Sequence, residues 1–171
     1  MNYTHELTKA MTMLAQDSRT VFVGQSVRYD GQRMHHTLDG VPMAQRIEFP
    51  VIEDFQMGYC LGMALEGFVP ISLYPRWDFL LLAANQLVNH LDKVPNGFHP
   101  KVMIRVAVGS TSPLNPGPQH CQNYTRAFRG MLWNVVVVDL IRAEVVREGY
   151  ADALKADHST ILVEHMSLYD H

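Results

Sequence analysis

The chain has 171 residues, enough for one domain with a full core, and its 47% apolar against 18% charged residues argue against disorder. A net charge of −3 offers no basic field for nucleic acid or an anionic membrane. No apolar run approaches the roughly 20 residues of a membrane helix, and the N-terminus lacks the basic-then-apolar pattern of a secretory signal. The two cysteines, Cys60 and Cys121, form no CxxC pair, which fits reduced thiols in a cytosolic protein.

In chain order, Leu7, Ala10, Met11 and Leu14 recur at helical spacing, so the first segment is expected to be an amphipathic helix ending near Asp17-Ser18. Thr20–Val23 is a β-branched strand stopped by Gly24. From Gln25 to Ala44 there is little periodicity and much polarity, which predicts a long loop, a common home of function. Ile47–Phe49 is a second strand. Glu53 then opens a helix that Gly67 caps, with Gly58 and Gly62 four apart on one face. Two glycines in one helix each cost about 1 kcal/mol relative to alanine, and close approach by another helix is the usual reason. Phe68–Leu73 is a third strand, and Asp78 is a candidate N-cap for a helix running to about Lys93.

Val102–Val108 is a strongly apolar strand, followed by a Pro- and Gly-rich loop from Gly109 to Gln119, ahead of His120. The run Val135–Val138 has the look of a strand buried on both faces. Ala143 to Ala156 is helical, and Thr160–Glu164 closes the pattern as a last strand. Strands alternating with helices predict a single α/β domain over residues 1–171. The expected fold is a three-layer sandwich around a mainly parallel sheet.

Common chemistries are excluded first. No GxGxxG and no phosphate-cradling Walker loop occurs. Nine histidines invite a metal, yet His35-His36, His90, His99 and His158 stand apart from one another and from Cys and acidic clusters at ligand spacing, so no metal is assigned to this chain. His120-Cys121 are adjacent, and adjacent residues rarely orient into a nucleophile–base pair, so both cysteines are taken as free and structural. An acid at a helix start, such as Glu53, also has an ordinary role against the helix dipole.

The spacing Glu53, Gly58, Tyr59, Gly62, Met63 carries more. It resembles the pyrimidine-binding domain of thiamine-diphosphate enzymes, and above all the N-terminal domain of 2-oxo-acid dehydrogenase β subunits. The likeness extends over nearly the whole chain. Pro50-Val51-Ile52-Glu53 resembles the segment leading into that family's catalytic glutamate, and Gly67-Phe68-Val69-Pro70-Ile71 the strand that follows. Asp78-Phe79 with Asn85-Gln86 and Asn89 looks like the helix that begins with an aromatic against the pyrimidine. Pro118-Gln119-His120 is similar to the loop histidine near the reacting thiazolium, and Leu168-Tyr169 to the end of the family's first domain.

The resemblance implies the thiamine-diphosphate-binding fold and a cofactor-activating role for Glu53. A carboxylic acid donating to the pyrimidine ring nitrogen favours the imino tautomer that deprotonates the thiazolium. Apolar surroundings from Val51, Ile52 and Phe55 are expected to keep that acid protonated. Ile52, Phe79 and Gln25 are expected against the cofactor with Glu53, and His120 is expected to orient substrate or shuttle a proton. Gly58 and Gly62 are expected at a subunit interface.

Departures from the family bound what is carried over. The Gly-Asp-Gly motif for diphosphate and magnesium is absent, so a partner subunit is expected to hold both, in an assembly expected to be a heterotetramer. The chain stops where the family continues into a C-terminal domain, which implies a split or trimmed form. Gly24-Gln25-Ser26-Val27 stands where relatives carry Gly-Glu-x-Val, so a proton-relay role is not carried over to Gln25. The implied function is decarboxylation of a 2-oxo acid with acyl or aldehyde transfer. The alternatives are a split transketolase acting on a ketose, whose sugar and phosphate contacts would come largely from the partner, and a non-catalytic scaffold or regulatory subunit that kept the fold.

Overall fold

The computed structural model describes residues 1–94 and 98–169. Its centre is a sheet of six strands, every neighbouring pair parallel, in the order β2-β1-β3-β4-β6-β5. The strands are β1 Thr20–Gly24, β2 Arg46–Glu48, β3 Val69–Tyr74, β4 Met103–Val108, β5 Val136–Asp139 and β6 Thr160–His165. Side chains alternate across a strand, and here both faces are apolar. Phe22, Ile71, Leu73, Met103 and Leu162 join the core on one face. Val23, Ile104, Val106, Ile161 and Val163 join the core on the other.

Helices α1 (Tyr3–Leu14) and α5 (Val146–Lys155) cover the first face, while α2 (Glu53–Leu65), α3 (Trp77–Leu80) and α4 (Thr125–Met131) cover the second. The result is the expected three-layer α/β sandwich. No helix among the described residues is long and apolar enough to cross a membrane.

Several local expectations need correction. The first helix stops at Leu14, three residues early, and a turn carries the chain to Thr20. Residues 25–44 are more ordered than a loop. They hold short 3-10 helices at Arg33–Leu38 and Met43–Gln45, and bury Met34, Leu38 and Val41. Arg46 gathers this segment by donating to the carbonyls of Val27, Leu38 and Val41. Single 3-10 turns held by one side chain leave no 3.6-residue period to detect.

The valine run is not buried on both faces. It forms the edge strand β5, with Val136 43% exposed, because among the described residues only β6 pairs with it. The segment after β3 starts at Trp77, with Arg76 rather than Asp78 at the N-cap, and breaks into a 3-10 turn at Leu81–Ala83 and a π turn at Gln86–Leu91. Helix α4 was not foreseen. Gly67 does end α2: with φ +89° it lets Phe68 and Gly67 donate back to the carbonyls of Met63 (3.1 Å) and Ala64 (3.2 Å), a Schellman closure.

Candidate active site

In open parallel sheets ligands collect beyond the carboxyl ends of the strands, where the winding changes direction. Here the chain moves from β1 outward to β2 and then back across to β3, so that point lies between β1 and β3. Gln25 follows β1, Glu53 follows β2, Arg76 and Phe79 follow β3, and the loop ending in His120 follows β4.

The turn after β1 is clamped. Ser26 sits at φ +54°, and the Glu48 carboxylate accepts the backbone N–H groups of Ser26 (2.6 Å), Val27 (2.9 Å) and Arg28 (2.8 Å). That clamp fixes Gln25, whose Nε2 donates to Glu53 Oε1 at 3.2 Å. Glu53 is only 5% exposed, in the first turn of α2. Its backbone carbonyl accepts from Tyr74 Oη at 3.3 Å, and burial holds that phenol well above its ordinary pKa, so it stays a donor. One turn on, Gln56 Nε2 donates to Ser72 Oγ and the Leu73 carbonyl, both at 3.0 Å, and ties α2 to β3. With Oε1 engaged, Glu53 Oε2 has no hydrogen-bond partner among the described residues.

Phe79 and His120 meet edge to face, ring centres 5.4 Å apart. With Gln25, Ser26, Gln32 and Arg76 they line a cavity of about 200 Å³. His120 Nδ1 is buried there without a partner. The loop reaches this position because Gly109 has no side chain: a Cβ at that residue would collide with the His120 carbonyl.

Sequence reasoning placed Gln25, Glu53, Phe79 and His120 together, and they are: Gln25 touches Glu53, and Gln25, Phe79 and His120 share one cavity. The expected apolar jacket around Glu53 is a correction. Val51 is 72%, Ile52 50% and Phe55 59% exposed, so these side chains do not bury the carboxylate; the β1 turn and β3 do. Phe55 instead clusters with Phe49 (5.9 Å) and Tyr59 (6.4 Å) on the outer face of α2. On that helix a side chain at Gly58 would start 3.7 Å from the Gln86 side chain, while nothing lies within 4 Å of where one at Gly62 would start.

Sequence reasoning missed Gln32, Glu48, Gln56 and Arg76. An arginine beside Pro75, just before Asp78-Phe79, was the one visible signal. Among the described residues no three His, Cys, Asp or Glu side chains are grouped to hold a metal ion.

No family model matches the sequence, and no curated protein matches it either. Solved structures do. A split-gene transketolase, in an inactive β4 tetramer, superposes with a TM-score of 0.70 at 19% identity, over 94% of this chain and 50% of that one. The fold is transketolase-like. A transketolase from Campylobacter jejuni subsp. jejuni agrees with a TM-score of 0.71 at 17% identity, over 94% of this chain and 25% of that chain. The chain thus spans half the length of one transketolase and a quarter of the other. At such identity the likeness is one of fold, and function has to be argued from the site.

Proposed function

We propose that this chain is the pyrimidine-binding subunit of a heteromeric thiamine-diphosphate enzyme. The observation that carries the reading is the buried Glu53 carboxylate, at the carboxyl edge of a transketolase-like sheet, with one oxygen held by Gln25 and the other free. The residues present fit the pyrimidine half of the cofactor: Glu53 Oε2 for the ring nitrogen and Phe79 for a ring face. They do not fit the diphosphate half, since the chain has no Gly-Asp-Gly motif. Diphosphate and magnesium are therefore assigned to a partner subunit. Phe49, Phe55 and Tyr59, with the neighbouring Gly58 and Gly62, offer an apolar face of α2 for such an assembly.

When bound, thiamine diphosphate supplies an electron sink for a carbanion formed beside a carbonyl. The chain's own residues prepare that site. Gln25 Nε2 donates to Oε1 of Glu53, which leaves Oε2 as the oxygen open to the ring. From there a protonated Glu53 would donate to the pyrimidine nitrogen and bias its tautomer. Phe79 bounds the ring pocket and orients His120 by their edge-to-face contact, and His120 handles substrate.

The donor substrate is a 2-oxo acid or a ketose. The likeness to a split-gene transketolase favours carrying ketol transfer beside 2-oxo-acid decarboxylation, and that protein's inactive β4 state supports a chain that needs a partner.

The decisive variant is Glu53→Gln in the complex reconstituted with its partner. Loss of the proton donor is expected to cut activity by about 10²–10⁴-fold, with thiamine-diphosphate binding measured by calorimetry only when both subunits are present. Full activity in Glu53→Gln would establish a scaffold instead.

A further inference from the structure

The substrate-side wall of the site carries a guanidinium that, among the described residues, no carboxylate pairs with. A second cavity of about 270 Å³ adjoins the one at Phe79 and His120, and the two share Gln32 and Arg76. Arg33, Ser110 and Ser112 line its far side. Neither cavity has an Asp or Glu in its lining, although Asp and Glu (17) outnumber Lys and Arg (14) in the chain as a whole.

The buried arginines show how unusual this is. Arg105 pairs with Glu164, Nε to Oε1 at 2.8 Å and Nη2 to Oε2 at 3.0 Å. Arg46 satisfies itself on three backbone carbonyls. Arg76 has one bond, from Nη1 to the Pro75 carbonyl at 2.5 Å, while its Nε is buried with no partner. No carboxylate pairs with Arg76 or Arg33 among the described residues. Burial lowers the Arg76 pKa and outweighs the nearby groups at Cys121, Tyr169 and Asp78 that raise it; Arg33 adds a smaller push downward. Two further donor-capable nitrogens in the lining are also unpartnered, Gln32 Nε2 and His120 Nδ1. Leaving a desolvated cation unmatched is costly, and a guanidinium fork is shaped to take two oxygens of one anion.

We propose that this cleft seats the anionic group of the substrate, a carboxylate or a phosphate, with Arg76 as its anchor and Arg33 and Gln32 beside it. The inference rests on the reading above, since it makes His120 the link between cofactor side and anion side. It also moves anion recognition into this chain, where the sequence had left it to a partner.

The test needs no cofactor. The full chain, labelled with nitrogen-15, is titrated with sodium phosphate and separately with sodium acetate at ionic strength held constant with chloride. The Arg76 Nε–H and the backbone signals of Arg33 and Ser112 are followed. A saturable shift in all three is expected. Arg76→Gln should weaken it at least about tenfold, which is 1.4 kcal/mol. Arg33→Gln, at an exposed residue outside the core, should weaken it about threefold. Lys155→Gln, exposed at the amino-terminal end of the strands beside Asp17 and Arg19, serves as control. Preference for phosphate assigns a phosphorylated substrate, and equal or stronger acetate binding a carboxylate. No saturable shift with either anion, or shifts untouched by both variants, overturns the proposal. That failure leaves the thiamine reading to Glu53→Gln, whose own failure would not alter the anion titration.

Discussion

Cys60 and Cys121 show how far environment sets the chemistry of one residue type. Cys60 faces the core from α2, and burial pushes its thiol from 9.0 up to about 12, with a bond to Ser72 pulling weakly the other way. Because the thiolate is the reactive form, Cys60 is inert at neutral pH. Cys121 is only partly buried, beside His120. A disulfide-exchange reagent at pH 8 should therefore titrate one thiol of the native chain rapidly and the second only in denaturant; rapid reaction of both would contradict the buried position. The folded value lies above the unfolded one, so the stabilisation is whole below about pH 9 and is lost as pH rises towards 12. At Glu53 it is Gln25, not the apolar neighbours, that meets the carboxylate.

At the scale of elements, the site is a set of strand ends joined by short clamps. Glu48 at the end of β2 holds the turn after β1, Gln56 of α2 holds β3, and Gly109 after β4 lets the next loop fold back on itself. Gly109→Ala tests this. The added methyl meets backbone rather than a movable side chain, so the loop must shift and take His120 with it. We expect a stability loss of about 1–3 kcal/mol in urea unfolding, and displaced signals for His120 and Phe79. Unchanged His120 signals would show that the loop is placed by something other than this close approach.

Across the whole molecule, a buried network joins segments far apart in sequence. Arg105 on β4 and Glu164 on β6 pair in the core, and Tyr150 of α5, Tyr169 near the C-terminus and Thr37 of the 33–38 turn all bond to them. The Arg105 guanidinium stays charged: burial opposes this, but Glu164 and the tyrosines outweigh it. Removing one partner strands the other in a low-dielectric interior. Glu164→Ala should therefore cost about 3–5 kcal/mol in urea unfolding, more than the loop variant Gly109→Ala. A cost below that of Gly109→Ala would mean that water reaches the orphaned arginine.

The alternation of apolar strands and helices was enough to specify a parallel α/β sheet, because burial on both faces writes itself into continuous runs such as Met103–Val108. The family resemblance pointed to Glu53, Gln25, Phe79 and His120, and these lie close behind successive strands at one edge of the sheet. What the chain order could not carry was which strand ends the sheet and which groups face one another across a cleft. The valine run reads as central yet lies at the edge, because strand order is set by pairing partners and not by local composition. Val51, Ile52 and Phe55 read as the wall around Glu53 yet point outward, because the helix turns them away from the sheet. Arg76 acquires its meaning only in three dimensions, where Gln32, Arg33, Ser110 and Ser112 meet it around one cavity although none is near it in sequence.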